Sequence, residues 1–132
     1  MLTVKENALY FAKVRPEAII PTKEDGNAGY DIYACFDGHA LVIEPLTTVL
    51  VPTGIASAVH ESKYLQAEER GSTGSKGIKK SAGVVDSNYR GEIFIAITNC
   101  NDKRIIIAKD GYVSDRYRGD DSVILYPYSK AI

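Results

Sequence analysis

The pattern that most constrains the fold is a series of short runs rich in β-branched and aromatic residues, which recur at nearly regular spacing. Pro and Gly residues fall between these runs, and no stretch of about twelve residues has the 3.6-residue period of an amphipathic helix. This pattern predicts an all-β domain, built as an antiparallel sandwich or barrel. The candidate strands are residues 8–14, 30–34, 40–44, 47–51, 55–59, 64–68, 82–85, 92–98, 104–108 and 122–126.

Length and composition indicate one domain that spans residues 1–132. A chain of 132 residues that is 45% hydrophobic can bury one small core, to which association with other subunits can add stability. Its 16 basic and 17 acidic residues leave no overall positive charge to hold a nucleic-acid polymer. A small anion would therefore have to be bound by a local cluster of charges.

The targeting and cysteine signals favour the cytoplasm. No apolar run approaches the roughly 20 residues of a membrane span, and the first residues lack the apolar core of a signal peptide. We therefore expect a cytoplasmic protein without a membrane partner. Cys35 and Cys100 lie in no paired-cysteine motif, which predicts two reduced, semi-buried thiols and disfavours a zinc-dependent deaminase.

Residues 83–92 place a carboxylate and an aromatic ring on a short turn between two apolar runs. The flanking runs predict that this turn closes a β-hairpin. Asp86 at its start can polarise a water molecule, and Tyr89 offers a flat face for a sugar or a base. The alternative is a plain turn, because Asp, Ser and Asn also favour turns through local hydrogen bonds.

Residues 70–80 form the dense cationic segment upstream of Asp86. Arg70 precedes a Gly-Ser-Thr-Gly-Ser run whose small side chains let backbone N–H groups approach an anion, and Lys76, Lys79 and Lys80 follow. The segment can hold a triphosphate. A flexible Gly/Ser loop with solvated lysines is the alternative.

Three segments resemble, in order, the motifs of the dUTP diphosphatases (dUTPases). Residues 83–92 are similar to the third motif, residues 28–34 resemble the first, and residues 69–74 look like a variant of the second. The resemblance implies a jelly-roll-like β fold and a homotrimer. It also implies Mg²⁺-dependent hydrolysis of dUTP to dUMP and pyrophosphate.

The resemblance implies a role for individual residues of the site. Asp86 is the catalytic base, and Asp31 of the first motif holds Mg²⁺ through water. Tyr89 packs on the deoxyribose and leaves no room for a ribose 2′-hydroxyl. The substrate-binding residues are Arg70, Gly71, Ser72 and Lys130 for the phosphates, Gly83, Val84 and Val85 for uracil through their backbone groups, and Tyr89 for the sugar.

The chain departs from the family pattern at three places. Gly71 stands where the second motif has its Ser, so Ser72 takes that role one position later, and Lys80 replaces a common Asn. Residues 126–132 look like the opening of the fourth motif with Lys130 near its Arg, and no Gly-rich fifth motif follows. We therefore expect a chain that lacks the family's carboxyl-terminal strand and arm, through truncation or through loss of the lid.

Two alternatives to a dUTP diphosphatase stay open. One is a non-catalytic dUTPase-like trimer that binds a nucleotide or a protein partner. The other is a dCTP deaminase, which the Asp-x-x-Tyr pattern at residues 86–89 disfavours.

Overall fold

The computed structural model describes residues 4–38, 40–68, 77–108, 123–125 and 129–131. Strands are the regular elements within these ranges, which contain no helix, and therefore no helix with the length and apolar composition of a membrane span. The strands are β1 Leu9–Lys13, β2 Asp31–Tyr33, β3 Ala40–Ile43, β4 Thr48–Pro52, β5 Ile55–Val59, β6 Leu65–Gln66, β7 Ile78–Ala82, β8 Val84–Val85, β9 Phe94–Asn99, β10 Ile105–Ala108, β11 Val123–Leu125 and β12 Ser129–Ala131.

The strands form small sheets in which most neighbours are distant in sequence. The pairings are β1 with β5, β2 with β12, β6 with β8, β9 between β4 and β7, and β10 between β3 and β11. All are antiparallel except β10 with β11, which are parallel. The predicted all-β class is confirmed, and every candidate strand overlaps an observed one.

Strand β7 is the main element that the sequence pattern does not predict. Residues 78–80, at the end of the cationic segment predicted to hold a triphosphate, form a strand that pairs with β9. Ile78 is fully buried, while Lys79 next to it is exposed. The segment is thus a half-buried strand with polar residues on its open face.

Isoleucine dominates the core. β-branched side chains suit a pleated surface, and burying each stabilises the fold by about 1.5–3 kcal/mol. Thr53, Ser57 and Asn99 are buried polar residues, and the amide of Asn99 donates to the carbonyls of Ile43 and Lys103 at 3.0 and 2.8 Å. The largest fully buried side chains are Ile32, Ile43, Ile55, Ile78, Ile93, Ile97, Ile105, Ile106, Ile107 and Val51.

The two cysteines differ in environment. Both thiols are free, which confirms the prediction of reduced cysteines, but Cys35 is buried and Cys100 is exposed. The expectation that both are semi-buried is therefore wrong. Burial raises the pKa of the Cys35 thiol, which makes it a poor nucleophile at neutral pH.

The chain passes from one sheet to another at a corner between β4 and β5. Gly54 forms this corner with a φ of 69°, and its carbonyl accepts from Val14 N at 2.8 Å. A Cβ there would lie 2.7 Å from Ala18 Cβ and 3.3 Å from Cys35 Sγ. The corner therefore needs glycine for both its conformation and its close packing.

Candidate active site

Residues 86–93 link β8 to β9 and begin with a tight turn. Tyr89 N donates to Asp86 O at 3.1 Å, so Ser87 and Asn88 occupy the centre of the turn. The turn itself agrees with the sequence analysis, but the predicted hairpin is only partly correct: Ala82, at the end of β7, pairs with Ala96 on β9, whereas Val84 and Val85 do not pair with β9. β8 pairs with β6, whereas β9 pairs with β4 and β7, so the segment connects two different sheets.

An open cavity of about 200 Å³ lies against this segment. It brings together four residues that the sequence analysis selects, namely Val84, Val85, Asp86 and Tyr89. Two further residues complete the wall, Ile93 and Phe94, of which Phe94 is 43% exposed. Phe94, the first residue of β9, thus borders the cavity although it begins an apolar strand.

Strand β8 directs one residue's backbone groups away from its partner strand. Ala67 N donates to Gly83 O at 2.8 Å, and Val85 lies opposite Leu65. Because hydrogen-bonding direction alternates along an antiparallel strand, Gly83 and Val85 face β6, whereas the N–H and C=O of Val84 face the other way. Of the three predicted uracil-binding residues, Val84 is thus the one whose donor and acceptor both point away from the ladder.

The ring of Tyr89 is held at its far end. Its hydroxyl donates to Glu92 O at 2.6 Å. A Cβ on Gly91 would lie only 2.8 Å from this hydroxyl oxygen and 2.9 Å from Cζ, so the ring packs directly over the glycine. Tyr89 thus lines the cavity with its ring packed on Gly91 and its hydroxyl engaged in the loop.

The carboxylate of Glu92 is a second anchor of the segment. Arg15 Nε lies 3.1 Å from each carboxylate oxygen, and Gly54 N donates to Oε2 at 3.0 Å. The Glu92 side chain is only 15% exposed, and its hydrogen bond raises the pKa of the Arg15 guanidinium. This pair cannot be predicted from a local pattern, because 77 positions separate its two residues in the sequence.

Arg90 fastens the same segment to β5. Its guanidinium donates to Ser87 O at 2.6 Å and to Ser57 O at 3.4 Å. Ile93 N also donates to Ile55 O at 2.8 Å. The turn that carries Asp86 and Tyr89 is thus tied to β5 at several points, which favours a preorganised site.

The first-motif and fourth-motif residues meet at β2. Asp31 begins β2, and its backbone exchanges two hydrogen bonds with Thr22, at 2.7 and 3.1 Å. Lys130 lies on β12 opposite Ile32, one position from Asp31 in the ladder. Asp31 does not line the cavity beside Asp86.

Most of the predicted phosphate segment lies outside the described residues. This applies to Arg70, Gly71, Ser72 and Lys76. Lys80, at its far end, lies on β7 with its Nζ 3.7 Å from Glu68.

Comparison with known proteins identifies relatives over most of the chain. A family model described as dUTPase matches residues 15–130. The deoxyuridine 5′-triphosphate nucleotidohydrolase of Leptospira interrogans is 38% identical over 103 residues, which cover 75% of this chain and 70% of that protein. Both the family model and the Leptospira protein carry the dUTPase name that the three sequence motifs predict.

Solved structures show the same fold. A mutant dUTPase of Staphylococcus bacteriophage 80alpha with dUpNHpp matches with a TM-score of 0.65 and 26% identity, over 72% of this chain and 56% of that chain. An Asp-to-Asn mutant of the S. aureus phage phi11 dUTPase, described with a structural Mg(II) ion, matches with a TM-score of 0.65 and 26% identity. The match covers 82% of this chain and 67% of that chain.

The predicted jelly-roll-like β fold is confirmed by these neighbours. The chain spans little more than half of the phage 80alpha enzyme and about 70% of the Leptospira enzyme. The family model covers nearly the whole chain, from the segment after β1 to β12. This protein belongs to the dUTPase family.

Proposed function

We propose that this chain is a dUTP diphosphatase that hydrolyses dUTP to dUMP and pyrophosphate. The observation that carries the proposal is the cavity in which Asp86, the ring of Tyr89 and the outward backbone edge of Val84 meet. The names of the relatives and the phage structure with dUpNHpp, a dUTP analogue, support the same substrate.

Val84 can select uracil without a polar side chain. Uracil offers a ring N–H donor beside a carbonyl acceptor, which complements the C=O and N–H of one residue. Cytosine has an unprotonated ring nitrogen and an amino group at these places, so both contacts become mismatched. We expect dCTP to be disfavoured by about 10²-fold or more, since each buried unpaired group costs about 1–3 kcal/mol.

Tyr89 can select the deoxyribose by shape. Its ring is anchored through the hydroxyl and supported by Gly91, so it cannot retreat without losing the bond to Glu92 O. A sugar that lies flat on this ring has no room for an added 2′-hydroxyl. The same contact orients the nucleotide relative to Asp86, three positions away on the turn.

Asp86 acts as the general base. Its carboxylate takes a proton from a water molecule while the water oxygen bonds to the α-phosphorus and the bond to the bridging oxygen breaks. Pyrophosphate leaves with the electrons of that bond, and dUMP remains. A positioned base of this kind contributes about 10²–10⁴-fold to the rate.

Mg²⁺ fits this site as an ion that arrives with the triphosphate. The described part of the chain contains no group of three or more His, Cys, Asp or Glu residues that could hold a metal ion. Mg²⁺ needs no such cage, because it keeps several waters and binds mainly through substrate phosphates. Asp31 lies away from the cavity of its own subunit, so in the proposed trimer it would hold the ion through water at a site between subunits, and the ion would neutralise phosphate charge. Arg70, Gly71, Ser72 and Lys130 would bind the phosphates directly.

We also propose that the chain assembles as a homotrimer, as the resemblance to the dUTPase motifs implies. Multi-angle light scattering of the purified chain tests it. The cytoplasmic location stays a prediction of the sequence analysis.

Pyrophosphate release from dUTP, UTP and dCTP under matched Mg²⁺ tests the function. We expect release from dUTP, with much lower specificity constants for the other two nucleotides. Ammonia release from dCTP would instead indicate a deaminase. Tight dUTP binding without any product would support the non-catalytic alternative.

A further inference from the structure

We propose that Arg15 and Glu92 are positioning residues that set the sugar preference of the site by fixing the ring of Tyr89. The inference rests on the proposed function and extends it to a residue far from the motif that carries Asp86. Neither Arg15 nor Glu92 lines the cavity. Their effect on the nucleotide would pass through Tyr89.

The first step is the fixed position of residue 92. Its carboxylate receives Arg15 Nε on both oxygens and Gly54 N on one of them. Arg15 follows β1 and Gly54 precedes β5, and these two strands pair with each other. The pair therefore locks residue 92 to the β1–β5 sheet by a charge-assisted hydrogen bond from each side.

The second step leads from residue 92 to the ring. The acceptor of the Tyr89 hydroxyl is the backbone carbonyl of Glu92, at 2.6 Å. A shift of this backbone moves the anchor of the ring. Since the ring rests on Gly91 with no space to spare, its orientation should follow its anchor.

The third step is what happens when Arg15 is lost. A carboxylate that is 15% exposed would keep only the Gly54 N–H as a partner, and it would gain by turning toward water. The turn would not unfold, because Arg90 holds Ser87 O and Ser57 O independently. We therefore expect a folded protein with a misplaced ring.

The experiment compares Arg15→Met, Arg15→Lys and the control Lys13→Met by their specificity constants for dUTP and UTP. Lys13 is an exposed cation at the end of β1 whose loss leaves the clamp intact. We expect Arg15→Met to lower the ratio of the specificity constants for dUTP and UTP by about 3- to 30-fold. This range corresponds to the interaction energies measured between residues of one hydrogen-bond network. Arg15→Lys should restore part of the ratio, and the control should match wild type.

A double-mutant cycle shows whether the effect passes through the ring. The Tyr89→Phe variant lacks the hydroxyl anchor. Adding Arg15→Met to it should therefore change the ratio of the specificity constants for dUTP and UTP only slightly. An equal loss for both nucleotides, with the ratio unchanged, would mean that the pair only stabilises the fold and would overturn the proposal. If Arg15→Met does not fold, Glu92→Gln replaces it, because its amide oxygen can still accept from Gly54 N.

A spectroscopic measurement separates this proposal from the proposed function. The chain has nine tyrosines, and ¹⁹F resonances of 3-fluorotyrosine protein can be assigned to Tyr89 through Tyr89→Phe. We expect this resonance to move in Arg15→Met and to stay in Lys13→Met. An unmoved resonance refutes the positioning role, whereas a wild-type protein that does not hydrolyse dUTP refutes the proposed function alone.

Discussion

At the scale of single residues, the ring of Tyr89 keeps its place because position 91 has no side chain. The contacts that a Cβ would make are with the hydroxyl oxygen and Cζ, the far end of a side chain that can rotate. A methyl group should therefore displace the ring and leave the backbone where it is.

Gly91→Ala should narrow the preference for dUTP over UTP while the melting temperature changes little. The displaced ring loses its bond to Glu92 O, and the sugar then meets a less rigid wall. Specificity constants and a thermal melt of the same preparation check this. A large drop in melting temperature with an unchanged nucleotide ratio would contradict the assigned role of the ring.

The local sequence suffices for part of the site, since the turn at Asp86 and Tyr89 follows from turn-forming residues between apolar runs. It cannot supply Arg15, which meets Glu92 only because β1 and β5 pair. It also cannot place Phe94 beside the cavity, because an apolar run does not show which of its faces borders a cavity.

At the scale of elements, the corner between β4 and β5 organises the site. Gly54 N contacts Glu92, Thr53 Oγ1 donates to Ile93 O at 2.7 Å, and Ile55 O accepts from Ile93 N. The segment that carries the turn is thus attached to the point where the chain changes sheets. Damage to this corner should affect both stability and the site.

Gly54→Ala should lower the free energy of unfolding by about 2–5 kcal/mol, because the left-handed conformation costs about 1–2 kcal/mol and overpacking costs about 1–3 kcal/mol. Gly26→Ala is the matched control, with a φ of 87° and no atom within 4 Å of the added Cβ. Urea denaturation of both variants measures the difference. If both variants lose the same free energy of unfolding, the close packing of residue 54 against Ala18 and Cys35 does not contribute to the loss.

Strand positions are predictable here where residues alternate or form apolar runs, as in β5, whose bounds agree with the sequence pattern. Strand pairing is less predictable: Ala82 pairs with Ala96 as the expected hairpin requires, but Val84 and Val85 pair with the more distant β6. β7 is missed since Lys79, Lys80 and Ser81 have the composition of a solvated loop. Its place in the sheet depends on β9 rather than on its own sequence.

At the scale of the whole molecule, family membership and the local geometry lead to the same chemistry. The family model spans the segments that carry Arg15, Asp31 and Asp86, and the structure joins the first and last of these through Glu92 and the turn. The central claim is that the cavity beside residues 84–94 hydrolyses dUTP with Asp86 as the base.

The most direct test measures pyrophosphate release and dUTP binding for wild type, Asp86→Asn and the control Asp102→Asn, all at matched Mg²⁺ and protein concentration. Asp102 is exposed in another loop, so its variant removes the same charge away from the cavity. We expect Asp86→Asn to lower the turnover of dUTP by about 10²–10⁴-fold while dUTP binding stays nearly unchanged. The control Asp102→Asn should behave as wild type. Unchanged turnover in Asp86→Asn would contradict the account.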